Sequence, residues 1–388
     1  MHRSSSAGGE RRPRSRLVRW IVGVVVTLLV LGVIAVGAIG WYFSGVALAI
    51  GSHQPDYTIT VRGVSADGAA VELSNTLDSR RPEPAGLEWD GGYGQVGAIL
   101  GRTSTSVTRA FTALVGRPTT GLAVSVDPYD YPGDPRTALG LAYQDLSLPG
   151  ELGALPTWYL PAERGSGSWA VFVHGHDGSR RESLRYLALL HARGLPVLVP
   201  SYRNDAGAPR SPDGQDHLGD TEWRDLEPAM RYALAHGARD VVLFGWSMGG
   251  AVSLQFADRS ALRDHVRGLV LDSPVLDWRD TLTHQARLRG LPDPVTAVAE
   301  WLVGARLGTG LDRFDWVARA GELRRPVLLV HSDADGYVPD GPSHALAQAR
   351  PDLVTFLDIP GADHTRGWNV DPQRYRVGLE AWLSRQGV

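Results

Sequence analysis

The part of the chain best suited to chemistry is a serine between glycines at residues 245–250, which read Gly-Trp-Ser-Met-Gly-Gly. An apolar run that ends at Phe244 precedes it, and a run with helical character follows at residues 251–258. A serine on a tight turn between a strand and a helix projects its hydroxyl clear of the backbone, and the glycines leave room for neighbouring segments. This setting predicts that Ser247 is a nucleophile; the alternative is an ordinary glycine-rich turn.

Two backbone N–H groups are candidates to stabilise an oxyanion beside this serine. The N–H of Met248 begins the following helix and points to the same spot. A second donor is expected after the first central strand, where residues 174–178 read His-Gly-His-Asp-Gly, and we choose the N–H of His176 because Gly175 permits a close approach. The His-x-His pair also suggests a metal, but no further ligand cluster and no cysteine accompany it. We therefore predict neither a metal nor a cofactor.

The general base and its orienting acid are expected at the ends of later strands. His364 follows the apolar run at residues 354–357 and is our choice for the base that takes the proton of Ser247. His217, in a polar loop near the expected mouth of the site, is the alternative base. Three carboxylates just beyond predicted strand ends are alternatives for the acid: Asp272, Asp333 and Asp335.

A rigid sheet is needed to hold these residues in register. From about residue 140, short apolar runs alternate with helical stretches, which is typical of a mostly parallel, doubly wound sheet covered by helices. Two leading strands, at residues 143–148 and 155–160, are expected to form an antiparallel edge. The other predicted strands are residues 170–173, 196–199, 241–244, 268–271, 327–330 and 354–357.

An insertion at about residues 275–324, between two predicted strands, is expected to form a helical cap. Its aromatic residues favour an apolar acyl or aromatic pocket, although the core of the cap itself would use the same residues. They are Trp278, Trp301, Phe314 and Trp316.

Four motifs occur in a fixed order: His174-Gly175, the serine turn at residues 245–250, Asp335-Gly336-Tyr337-Val338-Pro339 and Gly361-Ala362-Asp363-His364. With them, residues 140–388 resemble the α/β-hydrolase superfamily, in particular its exported or membrane-attached esterase and prolyl-oligopeptidase-like branches. The resemblance implies an α/β-hydrolase fold and a Ser-His-Asp triad. It also favours Asp335 as the acid, because the family pattern places the acid three residues before a Val-Pro pair.

The composition excludes several chemistries. The printed sequence contains no lysine, so a Schiff base, a P-loop ammonium group and a Ser-Lys dyad are impossible. It contains no cysteine, which removes thiol nucleophiles, disulfides and zinc-thiolate sites. The formal net charge of -3 gives no reason to expect a nucleic-acid partner.

The N-terminal region predicts a membrane anchor. Residues 20–43 are almost wholly apolar and would span about 36 Å as a helix, enough for a hydrocarbon core of about 30 Å. The arginine-rich residues 1–19 should stay in the cytoplasm, so the remainder would lie outside the cell membrane. A cleaved signal peptide is the rival interpretation, because Ala47-Leu48-Ala49 has the form of a cleavage site. On either interpretation this helix is expected to provide location and not chemistry.

Residues 44–139 are expected to form an exported, β-rich segment of unknown role, either a spacer or a flap packed on the catalytic domain at residues 140–388. The leading function is hydrolysis of an ester, less readily of an amide, through an acyl-Ser247 intermediate with a small-molecule or peptide substrate. The alternatives are a non-catalytic cell-surface binding module and an acyltransferase to an envelope acceptor. The sequence predicts neither the substrate nor the oligomeric state.

Overall fold

The computed structural model describes residues 14–52, 54–162 and 167–388. Most of the arginine-rich tail therefore lies outside the described residues. The first element is helix α1, Arg14–Ala47, which extends beyond the predicted segment at both ends. Its stretch Leu17–Ala47 is long and apolar enough to cross a membrane, and none of its most apolar window is buried against the rest of the protein.

Six antiparallel strands follow the anchor and close into a small barrel in the order β1-β2-β5-β4-β3-β6. Alternate residues point inward, so Val71 and Leu73 of β2 are buried in the barrel core with Val61 of β1. The predicted β-rich segment is confirmed, and its closure removes exposed strand edges. The strands are β1 Ile59–Val64, β2 Ala70–Ser74, β3 Ala85–Trp89, β4 Gly92–Arg102, β5 Ser106–Val115 and β6 Ala123–Asp127.

The larger sheet has eight strands in the order β14-β13-β12-β11-β9-β10-β8-β7. Strands β9 to β14 run parallel, whereas β8 is antiparallel to β10 and to β7. The predicted α/β-hydrolase fold and its antiparallel edge are confirmed. The strands are β7 Gln144–Pro149, β8 Ala154–Leu160, β9 Ser168–Val173, β10 Val197–Pro200, β11 Asp240–Trp246, β12 Val266–Asp272, β13 Val327–His331 and β14 Val354–Asp358.

Helices cover both faces of this sheet, which is why its central strands are apolar without alternation. Leu243 of β11 packs on the face that also holds Met230 and Val252, while the next residue, Phe244, packs on the opposite face with Leu187. The helices are α2 Pro135–Leu139, α3 Leu184–Ala192, α4 Glu227–Ala235, α5 Met248–Arg259, α6 Trp278–Leu288, α7 Asp293–Leu307, α8 Gly341–Ala349, α9 Gly367–Val370 and α10 Pro372–Arg385.

Helices α6 and α7 form the cap between β12 and β13. The end of the anchor helix α1 packs along α7, so the anchor is joined to the cap as well as to the chain that follows it. The barrel contacts the catalytic part elsewhere, through Arg181 and Arg366 of the latter, which pair with Asp127 and Glu83. The anchor and the barrel thus pack against the rest of the protein at two different places.

Candidate active site

Ser247 occupies the sharp turn between β11 and α5, with φ 52° and ψ −119°. This backbone conformation costs a non-glycine residue about 1–3 kcal/mol and is typical of a functional turn. Two glycines make the turn possible: a Cβ on Gly245 would lie 2.5 Å from the carbonyl oxygen of Gly249, and one on Gly249 would lie 2.1 Å from the carbonyl oxygen of Val173. The sequence predicted that these glycines leave room for neighbouring segments, and the distances agree with that prediction.

His364 and Asp335 form a direct pair: Nδ1 of His364 lies 2.8 Å from Oδ2 of Asp335. The other carboxylate oxygen of Asp335 accepts hydrogen bonds of 2.9 Å from the backbone N–H groups of Tyr337 and Val338. The carboxylate is therefore held in place by its own turn while it orients the imidazole.

A second histidine shares this carboxylate. Nε2 of the buried His331 lies 3.1 Å from Oδ2 of Asp335, and its Nδ1 lies 2.7 Å from the hydroxyl oxygen of Ser343. Burial raises the pKa of Asp335, but the hydrogen bonds from His331 and His364 outweigh it and hold that pKa well below its usual range. Sequence reasoning gave His331 no role, although it stands at the end of β13 four residues before the acid.

The two alternative acids lie elsewhere. Asp272 is buried at the end of β12, where it accepts hydrogen bonds from the hydroxyls of Tyr375 at 3.0 Å and Tyr186 at 3.3 Å, and burial raises its pKa. Asp333 is exposed and accepts a hydrogen bond of 3.2 Å from the backbone N–H of Gly361. Neither contact joins these carboxylates to His364, so among the three the geometry favours Asp335.

The alternative base, His217, lies in a separate hydrogen-bond group. Its Nε2 lies 3.1 Å from Oδ2 of Asp213, and its backbone N–H donates to Glu222 at 2.6 Å. These contacts give His217 a role in its own loop. Among the described residues, no group of three or more His, Asp or Glu side chains is arranged to hold a metal ion.

The loop proposed to carry the second oxyanion donor lies against the serine. A Cβ on Gly175 would be 3.2 Å from Cβ of Ser247, so only glycine fits there without displacement. The buried Glu182 fixes this loop by accepting a hydrogen bond of 2.8 Å from the N–H of Gly175. The side chain of His176 points away to the anchor segment, where its Nε2 lies 3.0 Å from the carbonyl oxygen of Ala49.

Two cavities meet at Ser247. The barrel-side cleft has several ionisable side chains in its lining, including Arg81, Glu182, His364 and Arg366, together with Tyr129 from the segment after the barrel. The cap-side cavity has a mostly apolar lining drawn from α1, α6 and α7, formed chiefly by Phe43, Val46, Ala47, Trp278, Leu282, Ala286, Leu291 and Val303. Ser247 therefore stands between a cleft that carries charged side chains and a cavity with few of them.

Residues 170–377 match the family model described as the alpha/beta hydrolase family, which is more than half of the chain. The chain belongs to the α/β-hydrolase family. Residues 60–127 of this hydrolase, the barrel, match a second family that is described as a domain of unknown function, DUF8805.

Similar proteins cover between half and two thirds of this α/β hydrolase. It is 29% identical over 240 residues to the uncharacterized protein Rv2307c of Mycobacterium tuberculosis, which covers 60% of this chain and 75% of that protein. It is 24% identical over 214 residues to the uncharacterized protein YfhR of Escherichia coli, covering 54% of this chain and 69% of that one. Among solved structures, the Pyrococcus furiosus esterase Pf2001 superposes with a TM-score of 0.53 at 18% identity, over 66% of this chain and 95% of that chain. This last likeness concerns the fold.

The four cap aromatics of this hydrolase have different surroundings. Trp278 lines the cap-side cavity, and its indole N–H donates to the carbonyl oxygen of Leu218 at 2.9 Å. Phe314 and Trp316 are buried in the core beneath the cap, and Trp301 is 70% exposed on α7. The predicted apolar pocket exists, but only one of the four aromatics contributes to it.

The anchor and the barrel supply site residues that sequence reasoning missed. Phe43 and Val46 of α1 line the cap-side cavity, a position that the expectation of a purely locating helix did not include. A helix that is apolar on every face carries no pattern to show which face docks on protein. Arg81 of the barrel forms an ion pair with Asp363, whose Oδ1 accepts a hydrogen bond of 2.8 Å from the N–H of His364. No local motif marks that arginine.

Proposed function

We propose that this α/β hydrolase is a membrane-anchored serine esterase that works through an acyl-Ser247 intermediate. The observation that carries the proposal is the convergence on one cleft of a strained serine and an imidazole paired with a buried carboxylate. A carboxylate at Nδ1 of His364 holds the tautomer in which Nε2 can accept a proton. The apolar cavity beside Ser247 suits an acyl chain and supports an ester as the substrate.

In the proposed reaction, Oγ of Ser247 attacks the carbonyl carbon of the ester while its proton passes to Nε2 of His364. The carbonyl oxygen becomes an oxyanion, which accepts hydrogen bonds from the N–H groups of Met248 and His176. His364 then protonates the leaving alcohol oxygen as the C–O bond breaks, which leaves the acyl group on Ser247. Water then gives a proton to His364 as it attacks the acyl carbon. His364 returns this proton to Oγ of Ser247 as the bond between the acyl carbon and Oγ breaks, which releases the carboxylic acid and the free serine.

Asp335 has an electrostatic and orienting role in this scheme. Its lowered pKa keeps it ionised at neutral pH, so it stabilises the imidazolium that forms on His364 without taking the proton itself. His331 and the two backbone N–H groups fix the position of the carboxylate. We propose Asp335 as the acid of the triad on this basis.

The proposal includes an uncleaved anchor with the enzyme outside the cytoplasm, where the exposed apolar part of α1 crosses the membrane and residues 1–19 remain inside. Two contacts support retention of the helix. Leu48, at the centre of the possible cleavage motif, is 1% exposed, and its carbonyl oxygen accepts a hydrogen bond of 3.0 Å from the N–H of Asp216. A C-terminal reporter that is active only outside the cytoplasm tests the topology, and the mass of the mature chain tests cleavage.

A substrate panel tests the reaction. The full chain in detergent is assayed against p-nitrophenyl esters of graded chain length and against aminoacyl p-nitroanilides, with Ser247→Ala as the control. We expect turnover of the esters that Ser247→Ala abolishes. Preference for the anilides would make the protein a peptidase, transfer to an added alcohol in place of water would make it an acyltransferase, and no turnover of any substrate would favour a binding module.

A further inference from the structure

The cap-side cavity has one wall that belongs to the membrane helix. Phe43, Val46 and Ala47 come from the last turns of α1, while Leu282 and Val303 come from the cap. Ser247 lines the same cavity, so apolar surface continues from the membrane helix to the nucleophile.

This wall is fixed by specific contacts. A Cβ on Gly40 would lie 2.7 Å from Cγ1 of Val298, so glycine lets α1 and α7 approach closely. Ser44 is fully buried and accepts a hydrogen bond of 3.0 Å from the guanidinium of Arg306, which also lies 4.9 Å from the ring centre of Trp41. These contacts hold the end of α1 against the cap.

The length of α1 that is free of protein contact indicates where the bilayer lies. Side chains of residues 17–35 are all exposed, and burial against the cap begins at Val36. Arg19 belongs to the cytoplasmic end of this stretch, and the uncharged residues 20–35 rise about 24 Å as a helix, most of a hydrocarbon core of about 30 Å. If this stretch crosses the bilayer, the docked turns of α1 begin at the outer boundary of the hydrocarbon core, and the cap lies next to them.

The direction of α7 brings the cavity to that surface. Val298 lies against Gly40 and Arg306 against Ser44, so α7 runs parallel to α1 and its N-terminal end lies on the bilayer side. Leu291, just before α7, lines the cavity at this end. Leu288, a large apolar side chain at the end of α6 and so near this end of α7, is 63% exposed. An exposed apolar side chain there suits the membrane interface.

From this arrangement we infer that the anchor is part of the substrate site, and that the substrate is an acyl ester of a membrane lipid. The acyl chain enters from the bilayer between α1 and the cap and lies along Phe43 and Val46, with its carbonyl at Ser247. The barrel-side cleft then receives the alcohol portion. This inference rests on the proposed function and adds to it the substrate class, the route of entry and a binding role for the anchor.

The first test measures how Ser247 in the full chain reacts with ethyl and dodecyl fluorophosphonates. The ratio of the dodecyl to the ethyl labelling rate reports how well the cavity accepts a chain. Val46 is 44% exposed, so larger side chains fit without disturbing the core while they project into the cavity. We expect Val46→Phe and Val46→Trp to lower the ratio progressively, the latter by about tenfold or more, because several methylene groups lose their burial. Ile39→Trp, on an exposed part of the same helix, is the matched control and should leave the ratio unchanged.

An unchanged ratio in both Val46 variants would overturn the inference while leaving the esterase intact. Absence of labelling of the wild-type serine by either probe is a different result, because it removes the proposed nucleophile and the inference with it.

The second test separates the membrane from the aqueous phase as the source of the acyl chain. The full chain is reconstituted in vesicles, and a fluorogenic diacylphospholipid is placed either in the same vesicles or in a separate population. We expect hydrolysis when enzyme and lipid share a bilayer and little when they do not. Equal rates in the two arrangements would overturn entry from the bilayer.

Discussion

The two sides of Ser247 differ in chemistry and in origin. On the barrel side, Arg81 contacts Asp363, and Arg366 pairs with Glu83 at 3.1 Å, so charged groups hold the barrel beside the histidine loop. On the cap side, the wall formed by Phe43 and the cap residues is mostly apolar. The hydrolase core supplies the reacting groups, while segments outside it complete both walls. In the proposed reaction, the barrel side is thus suited to position His364, and the cap side to select the acyl chain.

The largest expected effect is the loss of activity on removal of His364, and it should be the same for substrates that use the cap-side cavity and for those that do not. His364→Ala should reduce kcat/KM by about 10⁴-fold or more for short and long esters alike, because the base acts on Ser247 whichever chain is bound. Steady-state kinetics on p-nitrophenyl acetate and decanoate check this. If His364→Ala stayed active while His217→Ala did not, the base would have to be reassigned to His217.

Loss of the acid, Asp335, should reduce activity by a similar factor, again independently of the length of the acyl chain. Asp335→Asn should lower kcat by about 10⁴-fold, since the amide keeps the shape but favours the wrong imidazole tautomer. Asp272→Asn and Asp333→Asn are matched controls that should cost less than about tenfold, because neither carboxylate contacts His364. A reversal of this order would move the acid to the sensitive position.

Much of the hydrolase fold could be predicted because its strands are continuous apolar runs and its serine turn has a fixed glycine spacing. Gly245 is required by a local contact with the backbone of Gly249, and Gly249 by the approach of β9 at Val173, but both stand at a fixed spacing from Ser247 that is visible in the sequence. The choice of Asp335 over its neighbours needed the family resemblance, because three carboxylates follow strand ends with equal local merit.

The features that could not be predicted depend on contacts between distant segments. Arg81 meets Asp363 from a separate barrel, and Val46 meets the cap residues across more than 200 positions of sequence. A membrane helix is apolar because lipid surrounds it, so the residues that face protein look the same as those that face lipid. Only the three-dimensional arrangement shows that both segments reach the site.

A smaller loss of activity is expected for a variant on the barrel side, and it should leave the chain-length preference set by the cap side unchanged. Arg81→Met removes the barrel's ion pair with Asp363 and should lower kcat by about tenfold through displacement of the histidine loop, with the ratio of decanoate to acetate activity unchanged. Arg62→Met, at an exposed position on β1, is the matched control and should behave as wild type. A change in chain-length preference for Arg81→Met would show that the barrel also shapes the acyl site.

The smallest expected effect is on stability and follows from the lowered pKa of Asp335. A carboxylate whose pKa is lower in the folded state stabilises the fold above its unfolded pKa of about 3.9, and this contribution is lost as the pH falls through the folded pKa. The stability advantage of wild type over Asp335→Asn should therefore be larger at pH 6 than at pH 3. Thermal unfolding of both proteins in detergent measures it, and a constant difference would contradict the assigned pKa direction.

The roles proposed for the barrel-side cleft and the cap-side cavity both depend on Ser247 as the nucleophile. Labelling of the full chain with a fluorophosphonate probe, followed by peptide mapping, tests it most directly. We predict a single modified residue, Ser247, and no labelling of a Ser247→Ala variant whose circular dichroism matches the wild type. Equal labelling of that variant, or modification of a different residue in the wild type, would contradict the account.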